Sequence, residues 1–109
     1  SKNIKKTLKN EDIETLFIYG SFASGQAKIH SDLDLFIIGN LNEDYLIEKI
    51  DKIEQQFSKE INYTLFNNEE IKNRIKEKDP FLDDILKNPK IFIIGNEKEF
   101  LKNIEGTNL

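Results

Sequence analysis

The stretch SDLDLFIIG contains two aspartates, Asp32 and Asp34, one residue apart in an apolar run. In a β-strand alternate side chains share a face, so the two carboxylates would lie on one side, about 6.6 Å apart along the strand. Leu33, Leu35 and Ile37 would then point to the other side. Like charges on one face repel each other, and carboxylate oxygens are ligands that suit Mg²⁺ or Mn²⁺. The spacing therefore predicts a divalent-metal site at one end of a buried strand.

A second polar feature, Gly20-Ser21, directly follows the preceding apolar run LFIY. A glycine at a strand end lets the backbone approach a ligand closely, and a helix starting there would offer free N–H groups to an anion. The Ser21 hydroxyl adds a donor. If the two apolar runs pair, this turn and the aspartates lie near one another, with phosphate on one side and metal between. A P-loop is excluded, because Gln26-Ala27 follows Gly25 where Lys and Ser or Thr are required.

The surrounding sequence contains the strands and helices that must position these residues. Strands are predicted at Leu16–Tyr19, Leu33–Ile38, Glu60–Phe66 and Lys90–Gly95. The second of them is continuously apolar in its later half, which is typical of a central strand. Capping residues and helical spacing predict helices after Asn42, after Asn67, at Phe81–Leu86 and after Asn96, besides a short N-terminal helix lined by Ile4, Leu8 and Ile13. These elements predict an α+β (mixed α/β) fold with one sheet of about four strands covered by helices.

Length and composition limit the possible functions. The chain has 109 residues, which fits one domain over 1–109. With 16 basic and 20 acidic residues it lacks the excess of positive charge that strong nucleic-acid binding requires. It has no cysteine, so disulfides and cysteine-ligated zinc are excluded. No apolar run reaches the roughly 18 residues of a membrane span, and the N-terminal stretch lacks a signal-peptide core, so we expect a cytoplasmic protein without membrane contact.

The stretch GSFASGQAKIHSDLDLFIIG resembles the signature of the DNA polymerase beta-like nucleotidyltransferases, and the size is similar to that of their minimal nucleotidyltransferase branch. The resemblance implies a mixed sheet with a two-metal site, in which Asp32 and Asp34 are catalytic and hold Mg²⁺ or Mn²⁺. The nucleotide-binding residues that it implies are Gly20, Ser21, Gly25 and Ser31. The implied reaction moves a nucleoside monophosphate from a nucleoside triphosphate, such as ATP, to a hydroxyl and releases pyrophosphate.

Catalytic members of that family usually carry a third carboxylate on the following strand, where this chain has Asn62. An amide cannot accept the acceptor's proton near pH 7. Glu60 is the other candidate for this role, although its backbone lies about 6.6 Å away along the strand. Two functions stay open: a metal-dependent enzyme, or a weakened module that binds nucleotide, a protein partner or both. The resemblance implies a small helical toxin-like subunit as one candidate partner, in an antitoxin-like or regulatory role, and a second copy of the chain is another.

Overall fold

The computed structural model describes residues 2–9 and 12–108, which form four strands and six helices. Along the chain the elements are α1 (Lys2–Leu8), β1 (Ile13–Tyr19), α2 (Ser21–Ser24), β2 (Leu33–Gly39), α3 (Glu43–Phe57), β3 (Ile61–Phe66), α4 (Asn68–Lys76), α5 (Pro80–Lys87), β4 (Ile91–Ile94) and α6 (Glu97–Asn108). No helix among the described residues is long and apolar enough to cross a membrane.

The four strands form one mixed sheet in the order β3-β2-β1-β4. The hairpin β1–β2 and the pair β1–β4 are antiparallel, whereas β2 and β3 are parallel. The predicted α+β architecture with one four-stranded sheet is therefore confirmed, and so is the central place of β2. The hairpin pairs Tyr19 at the end of β1 with Asp34 near the start of β2, and so brings the Gly20-Ser21 turn next to the predicted metal-binding aspartates.

Each face of the sheet has its own hydrophobic core. On one face, α1 and α3 pack on the side chains of β2 that include Leu33, Leu35 and Ile37. On the other face, α4, α5 and α6 enclose a group of aromatic rings, of which Phe17 and Phe36 stack with centroids 4.7 Å apart. The apolar half of β2 is buried on both sides, so Asp34 and the preceding Asp32 stand at the open end of the strand.

Capping residues explain where most helices begin. Asn42 accepts hydrogen bonds from the backbone N–H groups of Asp44 and Tyr45, at 2.8 and 3.3 Å. Asn67 and Glu70 form a capping box at α4, and Asn96 accepts from the N–H of Glu99 at α6. Each cap satisfies donors that the first helical turn leaves without intrahelical partners.

Several boundaries differ from the sequence prediction. β1 begins at Ile13 rather than Leu16, β2 ends at Gly39 rather than Ile38, and α5 covers Pro80–Lys87 rather than Phe81–Leu86. Ile13 does not extend the N-terminal helix, because α1 ends at Leu8 and Ile13 pairs with Gly39 in the sheet. Ile13 is nevertheless buried in the same core as Leu8, which accounts for the misleading spacing. β3 begins at Ile61 rather than Glu60, and β4 covers only Ile91–Ile94. The helix considered after Gly20-Ser21 is present as α2, and it has only four residues.

Candidate functional site

Asp34 lies in β2 and Asp32 lies two residues before it, directly ahead of the strand, and both carboxylates face the same way, as the alternation predicts. Their carboxylates are bridged by the side-chain amide of Asn62 on β3. Its Nδ2 donates to Oδ2 of Asp32 at 3.3 Å and to Oδ1 of Asp34 at 3.2 Å. The parallel register explains the contact, because Asp34 and Asn62 are direct cross-strand partners. One NH₂ group with two hydrogens thus serves two carboxylates that would otherwise only repel each other.

The Gly20-Ser21 turn comes directly against the second aspartate. Gly20 has φ 72° and ψ −149°, a conformation that side chains disfavour, and a Cβ built there would overlap Oδ2 of Asp34. Ser21 begins α2, and its carbonyl accepts from the N–H of Gln26 at 2.9 Å. The structure therefore brings this turn and the carboxylate face together, and it requires glycine at position 20 for two separate reasons.

Gly25 and Ser31 shape the loop that joins α2 to β2. Gly25 ends α2 in the left-handed conformation, with φ 77°, and open space surrounds the position of its absent Cβ. Ser31 closes a turn with Lys28: its Oγ accepts from the Lys28 N–H at 2.8 Å, and its N–H donates to the Lys28 carbonyl at 3.0 Å. Both residues are explained by the backbone that delivers Asp32 to the start of β2, and nucleotide contact by either stays a prediction.

Asn62, and not Glu60, occupies the third position beside the aspartates. Glu60 precedes β3, its side chain is exposed, and its backbone carbonyl accepts from the N–H of Leu33 at 3.0 Å. In the described residues no three His, Cys, Asp or Glu side chains are placed to hold a metal together. The donor set at this site is therefore two carboxylates and one amide.

That donor set fits a magnesium ion bound with its substrate. Mg²⁺ in nucleotide sites is commonly held by one or two carboxylates, and substrate phosphates and water complete its shell. Asp32 and Asp34 supply the carboxylates, and rotation of the Asn62 amide about its last torsion would turn its oxygen toward the same space. The half-buried carboxylates face solvent at the open end of β2, so a bulky ligand has access.

Tyr19 and Thr64 join the site although the sequence pattern did not single them out. Tyr19 pairs with Asp34, hydrogen-bonds Thr64 through its side chain and meets Phe81 of α5 edge to face at 5.9 Å. Burial is the main cause that raises the pKa of the Tyr19 phenol; the hydrogen bond with Thr64 lowers it by less, and the charge of Asp34 adds the smallest effect, a rise. The phenol is therefore a neutral hydrogen-bonding group at pH 7. Its position directly before Gly20 was the available signal, but only the hairpin register reveals its face.

Comparison with known proteins identifies the fold and the family. Three solved structures have similar folds, and each match covers 98% of this chain. A toxin–antitoxin with AMP-PNP is matched at 12% identity over 82% of its chain, with a TM-score of 0.66. A tri-AMPylated Shewanella oneidensis HEPN toxin in complex with MNT antitoxin and a toxin–antitoxin MntA-HepT are each matched at 10% identity with a TM-score of 0.58, over 79% and 80% of the matched chains. At these identities the similarity shows the fold alone. The sequence has no significant match among curated proteins. A family model described as polymerase beta, nucleotidyltransferase, matches residues 2–99, and the chain therefore belongs to that family.

Proposed function

We propose that this chain is a Mg²⁺-dependent nucleotidyltransferase that moves a nucleoside monophosphate from a nucleoside triphosphate to a hydroxyl acceptor. The observation that carries the proposal is the close approach of the Gly20 turn to Asp34, where a Cβ would overlap Oδ2, with the Asp32 carboxylate bonded to the same Asn62 amide. The site combines a close-approach turn for phosphate with oxygen ligands for a cation, which are the two requirements for positioning a metal–nucleotide complex.

Each residue of the site has a separate task in this reaction. Asp32 and Asp34 would hold a divalent cation, which would supply positive charge to the phosphates and to the oxygens of an in-line displacement. Because Gly20 has no Cβ, the carboxylate of Asp34 can lie directly against the turn that would take the β- and γ-phosphates, and the Ser21 hydroxyl would donate to one of their oxygens. The Tyr19 phenol stands as a neutral donor on the same face.

The bond changes of this reaction show that the site lacks a side chain to accept the hydroxyl proton. The acceptor oxygen forms a bond to the α-phosphorus, the bond from that phosphorus to the β-phosphate oxygen breaks, and pyrophosphate leaves. The hydroxyl proton passes to water or hydroxide, because the Asn62 amide cannot take it. We therefore expect slow turnover that accelerates as pH rises from 7 to 9.

ATP is the nucleotide that we favour, and a hydroxyl of a protein partner is the acceptor that we favour. The support comes from the related folds, of which one was crystallised with AMP-PNP and another contains an AMPylated HEPN toxin bound to an MNT antitoxin. A small toxin-like protein is thus the first partner to test. Because these relatives share only 10 to 12% identity with the chain, the experiment must include all four nucleotides.

A specific observation favours a second candidate function, a weakened module that binds nucleotide and a partner without transfer. Asn62 takes the position beside both carboxylates and supplies hydrogen-bond donors where a proton acceptor would be needed. Such a module would keep Mg²⁺–nucleotide binding through the two aspartates and lose chemistry.

Transfer and binding should be measured on the same preparations. The purified chain is incubated with each α-labelled nucleoside triphosphate and Mg²⁺, with and without a toxin-like partner, and calorimetry measures binding of Mg²⁺ with a non-hydrolysable ATP analogue. Asp34→Asn should abolish transfer and weaken nucleotide binding, whereas the control Asp51→Asn, on an exposed position of α3, should change neither. Binding without pyrophosphate release under any condition would reject the enzyme and leave the module. Absence of both would reject both functions.

A further inference from the structure

We propose that Lys59 is a positioning residue for the proposed reaction, a role that rests on the proposed function. Lys59 lies between α3 and β3, and its ammonium group reaches the loop that connects α2 to β2. Through that loop it joins the phosphate turn to the first metal-binding carboxylate.

The contacts of the ammonium group define this role. Nζ of Lys59 donates to the carbonyl of Ile29 at 2.9 Å and to that of Ser31 at 3.4 Å, and it lies 5.0 Å from the ring centroid of Phe22. Phe22 follows Ser21 directly, and Ser31 precedes Asp32. One cation therefore holds both chain segments that carry the halves of the site, through charge-assisted hydrogen bonds and a cation–π contact.

The backbone that carries Lys59 is itself well fixed. Its N–H donates to the carbonyl of Glu54 at the end of α3, after Ser58 has turned the chain with a left-handed φ of 52°. The next residue, Glu60, accepts from the N–H of Leu33 and so joins the start of the parallel strand pair. The side chain thus extends from a rigid base toward a loop with less support.

Little else in the described part of the chain holds residues 26–31. The hydrogen bonds of Ser31 with Lys28, and of Gln26 with Ser21, connect near neighbours only. Ile29 is 86% exposed and adds no packing. The two hydrogen bonds from Lys59 are the contacts that tie this segment to a distant element, so removing them should free Asp32 relative to the Gly20-Ser21 turn.

The loop itself provides the first test, and it needs no nucleotide. Amide hydrogen exchange is compared in the wild type, Lys59→Met, Lys59→Arg and the control Lys52→Met, which removes an exposed lysine of α3. Lys59→Met should speed exchange in residues 26–32 at least about tenfold and leave the β1–β2 hairpin protected. Lys59→Arg retains the charge and the donors, so its exchange should be close to that of the wild type. Unchanged exchange in Lys59→Met would overturn the inference.

The second test separates positioning from stability. The comparison requires that Lys59→Met unfolds at the same temperature as the wild type. The variant should then bind Mn²⁺ with the ATP analogue more weakly. Its kcat/KM should be lower by about 10- to 100-fold, since a misplacement near 1 Å has that effect. Lys59→Arg should restore most of the loss, and Lys52→Met should show none. If Lys59→Met is too unstable, Phe22→Leu removes the ring contact with the ammonium group, keeps an apolar side chain against the core, and should give a smaller change in the same direction. A wild type that binds no metal–nucleotide overturns the proposed function, whereas equal binding by wild type and Lys59→Met overturns only the role of Lys59.

Discussion

Replacing Asn62 with Asp should make the folding stability of the protein depend more strongly on Mg²⁺. In the wild type, the Asn62 amide donates to Asp32 and Asp34 at 3.3 and 3.2 Å. A carboxylate at these distances would repel each neighbour by about 1.3 kcal/mol at the dielectric constant of water, or about 2.5 kcal/mol for both. Position 62 is exposed, so the new carboxylate can turn toward solvent and relieve part of this repulsion. We expect Asn62→Asp to lose about 1–2 kcal/mol of folding free energy without metal, or roughly 5–10 °C in Tm.

With Mg²⁺ the loss of folding free energy should become a gain, because the variant offers a third carboxylate to the cation. A ligand present at about 100 times its Kd stabilises the folded state by about 2.7 kcal/mol, which exceeds the expected loss. Thermal unfolding is measured with EDTA and across a Mg²⁺ titration, and Mn²⁺ affinity is measured by electron paramagnetic resonance. Transfer activity should appear or increase in the variant, because it gains a group able to accept the acceptor's proton.

Asn62→Ala serves as the matched control, since it removes the amide without adding charge. It should be less stable than the wild type and should show no gain in Mg²⁺ response. The reasoning is refuted if Asn62→Asp and Asn62→Ala respond alike to Mg²⁺, or if Asn62→Asp is as stable as the wild type in EDTA. Either result would mean that the three side chains do not share one site.

Three further changes test separate parts of the structure. Gly20→Ala should lose about 1–3 kcal/mol of stability and most of its Mn²⁺ affinity, because the new Cβ strains a positive φ and displaces the Asp34 carboxylate. The control Gly25→Ala also has a positive φ but no clash, so calorimetry should show near-normal Mn²⁺ binding. Lys90→Met should lower the free energy of unfolding in urea by about 1–3 kcal/mol, because the ammonium, only 2% exposed, donates to two backbone carbonyls near the end of α5. The hydrogen bond from the Arg74 guanidinium lowers the pKa of Asp79 in the folded state. The stability from this pair is therefore present above the pKa of Asp79 in the unfolded chain and is lost as pH falls through its lower pKa in the folded protein. Arg74→Met should flatten the fall in Tm below about pH 4.

The sequence was sufficient for features that depend on local periodicity. Alternation through Asp32 into β2 placed the two aspartates on one face, since alternate residues of an extended chain share a side. Capping residues located the starts of α3, α4 and α6, because the capping side chain lies within three residues of the N–H groups that it satisfies. Uninterrupted apolar residues in β2 indicated a central strand.

Features that depend on pairing between distant segments were beyond local patterns. The contact of Asn62 with both aspartates requires a parallel β2–β3 register, which sets residues 28 positions apart side by side. The contacts of Lys59 span a similar distance, and a lysine just before a strand usually indicates nothing more than solvent. Ile13 was misassigned because its burial fits either a helix or a strand, and only its pairing with Gly39 decides between them.

The amide at position 62 would have opposite effects on the assembly of the site and on the proposed transfer reaction. It joins two carboxylates in the absence of metal, so the face that would bind a cation is already assembled before the cation arrives. The same amide deprives the acceptor hydroxyl of a nearby base, because its nitrogen donates and its oxygen has no useful basicity at pH 7. A chain with this arrangement should bind metal–nucleotide readily and transfer it slowly. Binding and turnover must therefore be measured separately, since a slow reaction would not indicate an empty site.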